Sequence, residues 1–129
     1  MTEPTVVFDA SALLALLNDE PGADVAEGLA AGAAISSVNR CETFGRLRRA
    51  GVLGEALRQV MLETGIPVLP FEREDSERAS DLAPSPQARG LSLAGRACLA
   101  AAERLGVPVV TADRAWKDLD LGIEVVCIR

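Results

Sequence analysis

The residues of this chain best placed to do chemistry are acids that end apolar runs. In TVVFDASALLALL, Thr5–Leu17, a β-branched and aromatic run stops at Asp9, and a helical pattern of Ala and Leu begins at once. VPVVTAD repeats the design and stops at Asp113. Each stretch predicts a buried strand with a carboxylate at its carboxyl end, the edge at which open parallel α/β sheets bind ligands. Taken singly, Asp9 reads as the N-cap of the following helix, a role that contributes about 1 kcal/mol, unless Ser11 caps instead and frees it. Asp113 alone reads as the cap of the turn that runs to Trp116. As a pair the two mean more, because anions gathered at one crevice repel each other and need a cation to offset them.

Glu42 is the third candidate. On a helix beginning near Ser37, Val38, Cys41, Phe44 and Leu47 form the apolar face, and Glu42 lies at its flank beside Val38, Arg46 and Arg49. The plain reading is a solvated ion pair with Arg46. The functional reading turns the carboxylate toward the sheet edge, with guanidinium groups near it. Carboxylate oxygens suit Mg²⁺ or Mn²⁺, and Arg suits phosphate. Ser11 and Thr111, close in sequence to the two aspartates, are candidates for hydrogen-bond support.

Composition removes most rivals. The chain has 129 residues and neither His nor Tyr, so Ser-His-Asp and Cys-His catalysis, imidazole acid–base pairs and His-ligated zinc are excluded. Cys41, Cys98 and Cys127 are odd in number and lack zinc-type spacing, which predicts reduced thiols and a cytoplasmic protein. A net charge of -6 argues against indiscriminate binding to nucleic acid or anionic membrane, yet it is compatible with carboxylates gathered round a cation. No apolar run approaches the roughly 18–20 residues of a membrane span, and MTEPTVV lacks the basic region and cleavage site of a leader.

The elements that must position these acids alternate. Strands are expected at the Asp9 run, Ala33–Ser36, Pro67–Phe71, Val107–Thr111 and Glu124–Ile128, the third near a sheet edge because prolines flank it. Helices are expected after Asp9 to Leu17, over about Ala23–Ala31, from Ser36 or Ser37 to Ala50, over Val52–Thr64 and Glu72–Leu82, and after Ser92 to Gly106. This alternation predicts one domain over residues 1–129, an α/β/α sandwich with a largely parallel sheet of four or five strands. Strand order is not legible in the pattern.

Four segments in this order, VVFDASALLALL, SSVNRCE, GLSLAGRACLAAAERLG and VPVVTADRAW, resemble PIN-domain proteins of the VapC toxin type over nearly the whole chain. The resemblance implies a PIN-like fold and a Mg²⁺- or Mn²⁺-dependent endoribonuclease. It implies a toxin that pairs with itself and is neutralised by a cognate antitoxin, with Asp9, Glu42 and Asp113 as metal-site acids. Arg46, Arg49, Arg96 and Arg114 become candidates for gripping RNA, more naturally a single-stranded loop than a stem. One position departs from the pattern: Gly95 stands where family members commonly carry an acid. Asp118, Asp120 and Glu103 do not obviously fill that gap, so activity is expected to be attenuated and Gly95→Asp to raise it. The alternative is a module that holds antitoxin or RNA without cutting. A phospho-receiver is disfavoured, since Lys117 follows Asp113 within one loop and no acidic pair adjoins the first strand.

Overall fold

The computed structural model describes residues 3–129. Met1 and Thr2, which begin the terminal stretch read as lacking a leader's features, lie outside them. Five strands form one sheet: β1 (Val6–Phe8), β2 (Ala33–Ser36), β3 (Val68–Leu69), β4 (Val109–Thr111) and β5 (Val125–Cys127). Their order is β3-β2-β1-β4-β5, and every neighbouring pair is parallel. β1 is therefore central and β4 lies beside it, with Val7 opposite Val109 and Phe8 opposite Val110. That adjacency brings the two strand-end aspartates together. β3 is an edge strand, as its prolines predict.

Alternation along β1 explains the layers. Phe8 and Val6 point to one face, where they meet Leu13, Ile35, Met61 and Ile66. Val7 points to the other and meets Cys98, Leu99 and Trp116. α1 (Ala10–Asn18), α2 (Ala23–Leu29) and α4 (Gly54–Thr64) supply the first layer; α5 (Arg73–Leu82) and α6 (Leu93–Leu105) supply the second. The result is a PIN-like α/β/α sandwich. With helices on both faces, β1, β2 and β4 are buried throughout, which is why they read as unbroken apolar runs. α3 (Ser37–Arg49) closes the carboxyl edge of the sheet between α1 and α6, packing Leu47 against Leu14 and Leu57.

Capping follows the sequence closely. Ser36 accepts from the Val38 amide at the start of α3, and Ser92 accepts from the Gly95 amide at the start of α6. Gly65 and Gly106, both at φ 68°, end α4 and α6 in the left-handed conformation that glycine adopts without penalty. One face was misjudged. α3 turns Asn39, Thr43 and Leu47 inward, and Cys41 is exposed. Periodicity favoured Cys41 because it is the more apolar residue. Asn39 and Thr43 are buried because their polar atoms find partners inside.

Candidate functional site

β1 ends at Asp9, and the carboxylate caps α1 while facing the sheet edge. It is only 5% exposed. Oδ1 accepts from the Ala12 amide at 2.8 Å and from Ser11 Oγ at 2.7 Å. Oδ2 accepts from Thr111 Oγ1 at 2.6 Å. Asp9 is thus the cap, and the option that Ser11 caps and frees it is ruled out; Ser11 instead spends its proton on the carboxylate.

The two hydroxyls are themselves fed by the backbone beyond β4. The Ala112 amide donates to Ser11 Oγ at 2.8 Å, and the Asp113 amide donates to Thr111 Oγ1 at 3.0 Å. Two parallel chains of hydrogen bonds, amide to hydroxyl to carboxylate, therefore converge on Asp9, and each link polarises the next. Ser11 and Thr111 provide the support expected of them. Burial nonetheless pushes the Asp9 carboxyl above the ordinary carboxylate range; the bonds from Thr111, Ser11 and Ala12 pull it back, and the negative charge of Asp113 adds a further push upward.

Asp9, Glu42 and Asp113 line a single cavity of about 130 Å³ at the carboxyl edge of the sheet. Asp113 is exposed; its side chain accepts from the Ala115 amide at 3.0 Å and so caps the short 3-10 turn Arg114–Asp118. Glu42 reaches the cavity from α3 and pairs with Arg46 at 3.7 Å, so the plain reading of that pair also holds. Arg46 lines the cavity too. The other three arginines do not line it. Arg49 is exposed farther along α3, Arg96 donates to the Ala79 carbonyl at 3.0 Å, and Arg114 donates to the Arg129 carbonyl at 3.1 Å.

Two cavity residues escaped the sequence reading. Asn39 is 1% exposed; its Oδ1 accepts from the Ala10 amide at 3.2 Å and its Nδ2 donates to the Ala94 carbonyl at 3.0 Å. One amide group thereby ties the first turn of α1 to the first turn of α6. Asparagine carries no periodic signal, and only its place three residues before Glu42 hinted at a role. Trp116 lines the cavity and lies against α6 at Gly95. A β-carbon at position 95 would come within 3.3 Å of Trp116 Cζ2 and 3.4 Å of Leu91 Cδ2. A side chain there would require the indole to give by a few tenths of an ångström.

The fold and this cavity define a class: an all-parallel α/β/α domain with an acidic pocket at the sheet's carboxyl edge. The PIN domain family model matches residues 6–121, and the chain belongs to that family. Among solved structures, a toxin–antitoxin complex from Klebsiella pneumoniae is 22% identical with a TM-score of 0.71, covering 96% of this chain and 98% of that one. VapC20 from Mycobacterium tuberculosis, described as a sarcin–ricin loop cleaving toxin, is 20% identical with a TM-score of 0.65, covering 83% and 87%. VapBC2 from Rickettsia felis, bound to a promoter DNA fragment, is 14% identical with a TM-score of 0.72, covering 95% and 97%. Identities this low establish a shared fold. No curated protein sequence matches the chain. Among the described residues, no helix is long and apolar enough to cross a membrane.

Proposed function

We propose that the protein is a Mg²⁺- or Mn²⁺-dependent endoribonuclease, the toxin of a toxin–antitoxin pair, acting in the cytoplasm as a homodimer held in check by a cognate antitoxin. PIN-family membership and the structural likeness to toxin–antitoxin proteins support the biological side. One observation carries the chemistry: Asp9, Glu42 and Asp113 line one small cavity, and the most buried of them has no cationic partner among the described residues.

The residues fit a hydrated ion rather than a caged one. Among the described residues, no three acids stand close enough to clasp a metal between them. The donors are nevertheless hard carboxylate oxygens, and Asp9 Oδ2 accepts a single hydrogen bond, which leaves an acceptor position open. Mg²⁺ commonly takes one or two carboxylates and keeps water on its other positions. Asp9 and Asp113 would hold such an ion, with Glu42 in the same cavity. When bound, it supplies a water of lowered pKa and neutralises charge on a phosphate.

The chain's own side chains do the rest. Ser11 and Thr111 hold the Asp9 carboxylate in one orientation by donating to both of its oxygens. Glu42 sits where it can accept a proton from water or orient it, and Arg46 beside it can receive the phosphate that the acids alone would repel. A cavity of about 130 Å³ is below the usual size of a small-molecule pocket, so RNA must lie across its mouth and present only a phosphate. Arg49, Arg96 and Arg114, which lie outside the cavity, would act on flanking backbone.

Cleavage of a structured RNA in Mn²⁺ tests this reading. The parent is expected to cut and to stop on chelation, while Asp9→Ala folds and does not cut. Equal cleavage by both proteins overturns the proposal. Gly95 favours a second reading, a module that holds RNA or antitoxin without cutting; no Mn²⁺ binding at millimolar concentration by calorimetry would select it.

A further inference from the structure

We propose that Trp116 is a positioning residue for Asp113, and that Gly95 is the clearance that lets it work. The inference rests on the reading above, in which Asp113 helps to hold a divalent cation. Trp116 lies three residues after Asp113 on the turn that Asp113 caps, and its amide donates to the Asp113 carbonyl at 3.1 Å. Where the indole seats, the turn follows, and with it the direction of the Asp113 carboxylate. The ring itself is 6% exposed and packs in one cluster with Val7, Cys98 and Leu99, none of which is exposed at all. It has nowhere to retreat on that side.

On the other side stands Gly95. Glycine in a helix costs up to about 1 kcal/mol relative to alanine, and its amide is already satisfied by Ser92 Oγ at 3.1 Å. No left-handed dihedral asks for glycine here, because Gly95 is not among the positive-φ residues. Space does. A β-carbon would meet the indole at 3.3 Å, tighter than ordinary van der Waals contact, and Leu91 at 3.4 Å, the near limit of it. The indole must then give by a few tenths of an ångström against a fully buried apolar wall, and that shift is expected to pass into the capped turn and move Asp113. Gly95 and Trp116 thus form one device: a missing side chain on α6 makes the seat for the ring that aims an acid.

The chain's single Trp and absence of Tyr make the device visible, since indole emission reports this one contact. Gly95→Ala removes no ligand, yet it is expected to shift the emission of the metal-free protein and to weaken Mn²⁺ binding about tenfold by calorimetry. Trp116→Phe lacks the Cζ2 edge. In that background, adding Gly95→Ala is expected to change Mn²⁺ affinity by less than about twofold, the coupling that marks residues in contact. The same logic makes Gly95→Asp weaken Mn²⁺ binding beside Trp116 and strengthen it beside Phe. Two results overturn the inference while leaving the nuclease reading intact. One is unchanged emission and Mn²⁺ binding in Gly95→Ala; the other is an equal loss from Gly95→Ala with and without Trp116. A parent protein that binds no Mn²⁺ overturns both. Should Trp116→Phe not fold, emission and binding of Gly95→Ala decide the matter alone.

Discussion

Asp9 and Asp75 are both nearly sealed from solvent, at 5% and 3% exposure, and both serve a helix start, Asp9 as the cap of α1 and Asp75 as the third residue of α5 bonding back to its cap, Glu72. Their surroundings differ in one respect. Asp75 Oδ2 accepts from the Glu72 amide at 3.0 Å, and its Oδ1 takes the Arg104 Nε at 2.9 Å. Asp9 has amide and hydroxyl donors only, and the charge nearest to it in effect is another carboxylate, Asp113. A buried anion with a guanidinium partner is complete as it stands. A buried anion whose neighbours are neutral, and whose closest ionic influence is negative, is complete only when something positive arrives. The contrast sets an aspartate whose charge is paired inside the fold beside one whose charge is not.

Breaking the complete pair should have the largest effect on stability. Arg104→Ala leaves the Asp75 charge buried and unpaired, and should lower the unfolding free energy by about 3 kcal/mol, the low end for a buried pair cut on one side. Denaturant unfolding measures it, and RNA cleavage by the folded fraction should be unchanged. Asn39→Ala comes next. It orphans the Ala10 amide and removes the second donor from the Ala94 carbonyl, which still accepts within α6, for an expected loss of about 1–3 kcal/mol. Unlike Arg104→Ala it should also depress cleavage, because it loosens the first turns of α1 and α6 on two sides of the cavity.

The smallest effect sharpens the comparison most. Because the Asp9 carboxyl titrates above its unfolded value, the native state holds the extra proton across that window. Stability from this group is therefore full below the unfolded value and is lost as pH rises through the folded one. Asp9→Asn removes that loss. Its amide can donate one proton to Thr111, which then donates across the 3.2 Å contact to Ser11, which donates to Asn Oδ1, so the hydroxyls and Oδ1 stay bonded. Without divalent cation, Asp9→Asn is expected to melt above the parent at neutral pH, with the gap closing on acidification below the ordinary carboxylate range. Added Mn²⁺ should narrow the gap by stabilising only the parent. A parent that melts higher than Asp9→Asn in chelator would contradict this account.

Much of the fold was legible because parallel strands covered on both faces must be apolar throughout, and helices announce their ends with Ser and Gly. Val6–Phe8, Ala33–Ser36, Ser36, Ser92 and Gly106 carry local signals, and local physics placed them. The aspartates were legible for a related reason: a charge that ends an apolar run is conspicuous. Asn39 was not, since a buried polar residue betrays itself only through partners 29 and 55 residues away. Cys41 was misplaced by the same blindness, its apolar character outweighing hydrogen bonds the pattern could not see.

By itself the sequence determined that Asp9 and Asp113 follow buried strands and that the chain has no imidazole or phenol. Only the tertiary structure decided that β4 lies beside β1, that Glu42 faces the same cavity, and that the indole of Trp116 fills the room beside Gly95. The reason lies in range. Strand and helix propensities act over a few residues, whereas strand order, the field at a carboxylate and the space around a β-carbon are set by groups that meet only when the chain has closed.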